Sequence, residues 1–364
     1  MTLLRRAAAL LALALCASAG AQDLRVCGGS PGLPAWVRSG AFQGTLGGRP
    51  VALALNRQDQ DGDRYFYTRY GVDIALTPFR SGDALILQEE VWQGPVDGLK
   101  VTGCFTLRPA GTGLGGEWRR AATGPALPVR LTALNVAAQP LRHPASPGLL
   151  KLRAEDPLTF LKLNRPWVTA ADGRSVREPL SGLNYPQVPG AGAGLRAALQ
   201  DRLLENAANA LDCRARLGEA PEGDGYELNA QVTLSARRLL SLREDVWYYC
   251  SGAHPDNFTL GLIFDRATGQ AVAPGAIWKG LTPARQKALY LAAVTPDPES
   301  ECREVLRGME PDFTANLSTR GLELTPTSLP HVVAACGDTA TVPYSRLRDD
   351  ADPASPYFGE FYPR

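Results

Sequence analysis

Between Phe42 and Leu131 apolar side chains recur at every second position, in short runs cut by Gly, Asp and Pro. Val51, Leu53 and Leu55 fall on one side of such a run; so do Val72, Ile74 and Leu76, then Val101, Phe105 and Leu107, then Leu127, Val129 and Leu131. A period of two sends alternate side chains to opposite faces of a strand, so each run buries one face only. With turns every ten or so residues, the pattern predicts a meander of about eight antiparallel strands. Closing that sheet into a small barrel would remove its exposed edges. Cys104 has the opposite parity to Val101, Phe105 and Leu107, which sends its sulfur away from the buried face.

The N-terminus has the order of a secretory signal peptide: Arg5-Arg6, an apolar run from Ala7 to Leu15, then small residues ending in Ala19-Gly20-Ala21. The run is too short to span a bilayer, and no later stretch reaches about 18 uncharged apolar residues. Export is therefore expected, to the periplasm or the exterior, with a mature chain from Gln22. Lipidation at Cys16 is the competing reading, disfavoured by Leu15 where that processing wants a small residue. Six cysteines remain, and an even set in an oxidising compartment reads as disulfides. Position in the chain pairs Cys27 with Cys104, Cys213 with Cys250, and Cys302 with Cys336. A zinc site is the poorer use, because no Cys-x-x-Cys exists and only His143, His254 and His331 could assist. No metal or cofactor is expected.

Acidic and basic residues nearly cancel, 37 against 38, and no basic block marks a nucleic-acid surface. The tip Asp59-Gln60-Asp61-Gly62-Asp63 invites a calcium loop, but its twelfth position is Tyr70 where a bidentate Glu is needed. It reads instead as an Asp-Gly turn. From Asn135 to Pro157 the composition shifts to Pro, Ala, Ser and Gly, which reads as a linker that leaves His143 without a chemical role. The expected division is 1–21 signal peptide, 22–137 β-meander or barrel, 138–157 linker, 158–349 α+β domain and 350–364 tail.

The second half mixes periods. Leu158 to Leu163 reads as a strand, and a turn-rich passage runs from Pro166 to Gly194. Leu195, Leu199, Leu203, Ala207 and Leu211 then form a helical stripe ending near Cys213. Strands follow at Tyr226 to Ser235, Leu239 to Tyr249 and Phe258 to Phe264. Thr282 with Pro283 opens a helix to about Val294, and Cys302 to Met309 holds another. Strands near Phe313 to Leu317, Leu322 to Thr325 and His331 to Ala335 complete an α+β fold: an antiparallel sheet with helices packed on it.

The turn Ser251-Gly252-Ala253-His254, the turn Phe264-Asp265-Arg266-Ala267-Thr268-Gly269-Gln270 and the ending Tyr344-Ser345-Arg346-Leu347 carry a resemblance. From about Leu158 to Leu347 the chain resembles the extracytoplasmic domain of RsiV-type anti-sigma factors and of peptidoglycan deacetylase accessory regions. Ser251 stands where that family has Gly. The resemblance implies extracytoplasmic binding of a lysozyme-like protein or a peptidoglycan ligand, and Tyr249, His254, Asp256 and Asn257 are the candidate binding residues.

No catalytic residues are assigned. Ser251, His254 and Asp256 sit on one tight turn, where the in-line geometry of a triad is seldom reached, and no Gly-x-Ser-x-Gly elbow is present. Glu89-Glu90 and Glu244-Asp245 are adjacent on strands and so point to opposite faces, which rules out each pair as the facing carboxylates of a glycosidase. Tyr65, Phe66, Tyr67 and the run Trp247-Tyr248-Tyr249 offer rings for a carbohydrate platform or for core filling. The expected function is a non-enzymatic envelope binding protein. A wall hydrolase with its site at the domain interface, or a structural envelope component, is the alternative.

Overall fold

Short β-prone runs separated by tight turns pair with their neighbours before anything else, and this chain carries that logic to closure. A computed structural model describes residues 25–363 except 59–61, 94–97, 122, 219–224, 252–253, 295–301 and 328. The signal-peptide reading, Cys16, Asp59-Gln60-Asp61 and Gly252-Ala253 lie outside the described residues. A two-residue strand β1 (Ser30–Pro31) precedes eight longer ones: β2 (Gly40–Leu46), β3 (Arg49–Leu55), β4 (Arg64–Tyr67), β5 (Ile74–Ser81), β6 (Ala84–Trp92), β7 (Leu99–Ala110), β8 (Gly113–Arg120) and β9 (Ala126–Leu134). From β2 onward each pairs antiparallel with the next, and β9 pairs back onto β2. The result is an up-and-down barrel with β1 added to β5.

Inward-facing Leu53, Leu55, Leu85, Leu87, Phe105 and Leu107 fill the interior, so the barrel is a packed core and not a channel. Cys104 lies outside that core and is bonded to Cys27. Glu89 brings a carboxylate into that interior. Glu89 accepts hydrogen bonds from the Tyr65 hydroxyl at 2.6 Å, Thr102 Oγ1 at 2.6 Å and Trp118 Nε1 at 2.9 Å. A Cβ on Gly103 would fall 2.2 Å from that indole nitrogen, so only glycine leaves room for the contact. Glu90 points outward and accepts from Thr77 and Gln88.

The second half layers helices on small sheets. Three short strands, β10 (Val168–Thr169), β11 (Ser175–Arg177) and β12 (Asn184–Pro186), form a sheet inside the turn-rich passage. A long helix, Ala193–Leu217, lays Leu195, Leu199 and Leu203 on Leu240 and Leu242 of the central strand in β13 (Tyr226–Ser235), β14 (Leu239–Tyr248) and β15 (Asp256–Asp265). A third sheet, β16 (Phe313–Leu317), β17 (Leu322–Pro326) and β18 (Ala340–Val342), shares a core with the helix Pro283–Ala293 around Trp278 and Tyr290. Disulfides join Cys213 to Cys250 and Cys302 to Cys336. The tail packs as a strap, with Trp278 Nε1 donating to the Tyr362 hydroxyl at 3.1 Å and that hydroxyl donating to Tyr344 O at 2.8 Å.

Three local expectations are corrected. Leu158 to Leu163 is not a strand but part of the helix Pro157–Leu163, opened by the Asp156 carboxylate on Thr159 N–H with Pro157 in the first turn. Leu158, Phe160, Lys162 and Leu163 are all buried, and a run covered on every side has no period to betray its type. The Pro-rich stretch holds a helix, Pro147–Glu155, capped by Ser146, whose Leu149 packs fully buried with Leu204 and Leu211 of the long helix. His331 to Ala335 is a 3-10 segment, His331–Cys336, and the third strand of its sheet comes later, at Ala340–Val342. Pro330 sets the turn and Cys336 is tethered to Cys302, which holds this segment off the sheet.

Candidate binding cleft

The residues that the sequence nominates do not converge on one centre. Asp256 and Asn257 open β15, opposite Tyr248 and Trp247 of β14. The Tyr248 hydroxyl donates to Asp256 Oδ2 at 3.3 Å, and Asn257 N–H donates to Oδ1 at 2.8 Å. Tyr249 is half-buried and its N–H donates to Gly225 O at 2.8 Å. His254 is exposed, stacks on the His331 ring at 3.9 Å and places Nδ1 3.0 Å from Pro255 O. Among the described residues, none of these contacts links His254 to Ser251 or Asp256, so no triad forms. Asn257 borders a shallow groove with Trp247, Asp245 and Glu227 on the open face of the sheet.

A better-formed cleft lies elsewhere and takes His143 as a wall. The segment before the Pro147–Glu155 helix brings in Arg142 and His143, and the turn after the Pro157–Leu163 helix brings in Trp167. The first turns of the long helix add Arg196 and Gln200, and the Pro186–Gly190 loop closes the side. The volume is about 540 Å³. Pro144, Pro166, Pro186 and Pro189 stiffen the rim by fixing φ.

His143 lies against Trp167 with ring centroids 4.1 Å apart and planes inclined by 36°. Both His143 Nε2 and Trp167 Nε1 are buried without a hydrogen-bond partner among the described residues. A buried polar group left unpaired costs roughly 1–3 kcal/mol, a cost that a ligand atom can remove. Burial lowers the His143 pKa below its ordinary value, although the carbonyls of Arg165 and Leu163 favour the proton. The imidazole is therefore neutral near pH 7. Gln200 Nε2 is held by Pro144 O at 2.9 Å and Ser146 Oγ at 2.7 Å, and Arg196 is steadied by Ala191 O.

Two arginines and, among the described residues, no Asp or Glu line the cleft, so its surface favours an anion, although buried Glu178 acts on His143 from behind the wall. The arrangement can stack, donate and attract. No group of three or more His, Cys, Asp or Glu is placed to hold a metal among the described residues. Sequence reasoning missed the cleft because its walls are remote in the chain. The only local signal was an aromatic-flanked pair, His143 and Trp167, each next to a proline.

No family model matches the chain, and no curated protein matches it. One partly similar solved structure is a member of the DUF3298 family from Bacteroides fragilis, 18% identical, covering 44% of this chain and 68% of that one at a TM-score of 0.31. Another is a DUF3298 family protein from Pseudomonas aeruginosa, 16% identical, covering 49% and 83% at a TM-score of 0.29. The RsiV-type resemblance rests on its turn motifs alone.

Proposed function

We propose that this is an exported, non-enzymatic binding protein of the bacterial envelope, and that its ligand is a carboxylate-bearing fragment of the cell-wall glycan. The observation that carries the reading is the His143–Trp167 couple, two rings packed at a tilt whose nitrogens are unsatisfied among the described residues, in a cleft lined by two arginines and, among those residues, by no Asp or Glu. A wall fragment has what this cleft lacks: carboxylates for Arg142 and Arg196, a sugar face for the indole and acceptors for its N–H. Three disulfides fit an oxidising compartment, and no helix among the described residues is long and apolar enough to cross a membrane.

Titration calorimetry with soluble muropeptides tests it. The wild-type protein should bind them, Trp167→Ala should weaken binding about tenfold, and fragments with amidated carboxylates should bind less well. Capture of a lysozyme-like protein in place of muropeptides would move the function to the protein-binding alternative. Retention of neither would leave the structural role.

A further inference from the structure

The outer wall of the barrel carries another recess, about 750 Å³, where β5 and β6 meet the long helix. Ala75 of β5 lies opposite Glu90 of β6. Past the end of that ladder, Asp73 and Trp92 both line the recess. Each of this couple holds one buried atom with no partner among the described residues: Asp73 Oδ1, an acceptor, and Trp92 Nε1, a donor.

The remaining Asp73 oxygen is engaged. Oδ2 takes Arg64 Nε at 3.1 Å and Lys162 Nζ at 2.7 Å, and the Lys162 side chain is only 1% exposed. Arg64 also reaches Asp156 at 2.5 Å. Around Oδ2 two carboxylates face two cations, and the rest of the lining adds Asp63, Glu90 and Asp212 against Arg216. A further cation at Oδ1 would meet Arg64 and Lys162, and a further anion would meet Asp73. The group that suits the couple is neutral and offers a donor to Asp73 from one edge and an acceptor to Trp92 from the other, as a trans secondary amide does.

We infer that this recess binds the acetamido group of an N-acetyl amino sugar. The amide N–H donates to Asp73 Oδ1 and the carbonyl accepts from Trp92 Nε1. The methyl has an apolar wall in Val91 and Leu99, and the ring hydroxyls face the exposed Asn209 and Asp212 of the helix. A peptide amide suits the place less well, because β5 and β6 are already paired within the barrel and offer no free edge for a second backbone. The inference is independent of the His143 cleft, which lies on other elements and calls for an anion.

Calorimetry with the N-acetylglucosamine trimer and its de-N-acetylated counterpart decides it. The N-acetylated trimer should bind at least tenfold more tightly than the amine. Trp92→Phe, which removes the indole N–H together with its five-membered ring, should weaken binding about tenfold. Ala75→Trp, which fills the recess from an exposed strand position, should abolish it, and Trp167→Ala should leave it unchanged. Melting temperatures confirm that each variant folds; if Trp92→Phe does not, Ala75→Trp carries the test. The inference is overturned if the N-acetylated trimer does not bind, if both trimers bind alike, if Ala75→Trp binds like the wild type, or if an N-acetyl dipeptide amide matches the trimer.

Discussion

Arg202 holds the Glu244 carboxylate at two points, Nε to Oε1 at 3.1 Å and Nη2 to Oε2 at 2.5 Å, and the Glu244 side chain is fully buried. The Tyr185 hydroxyl and Asn206 Nδ2 donate to the same carboxylate. Burial alone would lower the Arg202 pKa, but the hydrogen bonds and charge of Glu244 raise it. Burial and the same carboxylate together raise that of Tyr185. One acid therefore ties the long helix, β12 and β14 into a single unit.

Removing the guanidinium leaves an uncompensated buried charge. Arg202→Met should cost about 3–5 kcal/mol, measured by urea unfolding, and adding Glu244→Leu should recover a large part of it. A loss under about 1 kcal/mol would mean that the carboxylate finds another partner or takes up a proton.

Phe66 faces outward from the barrel, yet it is 1% exposed because Leu158 of the second half covers it. Phe66→Ala should cost about 3–5 kcal/mol through lost burial and the cavity left behind. Leu158→Ala in the same background should cost less than it does alone. Additive losses would show that the two side chains do not support one another.

The disulfides differ in the length of chain they close. Cys27–Cys104 spans 77 residues, against 37 for Cys213–Cys250 and 34 for Cys302–Cys336. Chain-entropy arithmetic gives about 4.5 kcal/mol for the first and about 4 kcal/mol for each of the others. Cys27→Ser with Cys104→Ser should therefore lower the denaturation midpoint slightly more than removing either other bridge. A midpoint unchanged by that double substitution would show the tether to be idle.

His143 sets a pH dependence. Its folded pKa lies below the usual 6.5, so the unfolded chain takes up the proton more readily. The stability it contributes is complete above about pH 6.5 and is lost as pH falls through the folded value, after which the loss levels off. His143→Phe keeps the ring on Trp167 and removes the titration. The drop in melting temperature between about pH 7.5 and about pH 5 should be smaller in that variant than in the wild type; equal drops would place the acid sensitivity elsewhere.

What the amino-acid order determined by itself was whatever depends on near neighbours. Alternation from Val51 to Leu131 predicted an antiparallel meander, because each strand meets the next across a short turn, whereas its closure came from β9 pairing back onto the distant β2. Thr282 with Pro283 marked a helix start, and the Leu195 to Leu211 stripe marked the long helix, although that helix runs on to Leu217. The parity of Cys104 placed its sulfur off the barrel core. Tertiary structure decided the rest. Leu158 to Leu163 carries no readable period because barrel and helix bury it from both sides. His143 with Trp167, and Asp73 with Trp92, become sites only when elements far apart in the chain supply the missing walls. Local sequence sets periodicity and caps, whereas a cleft is a property of surfaces that meet after the chain has folded, and no run of adjacent residues encodes it.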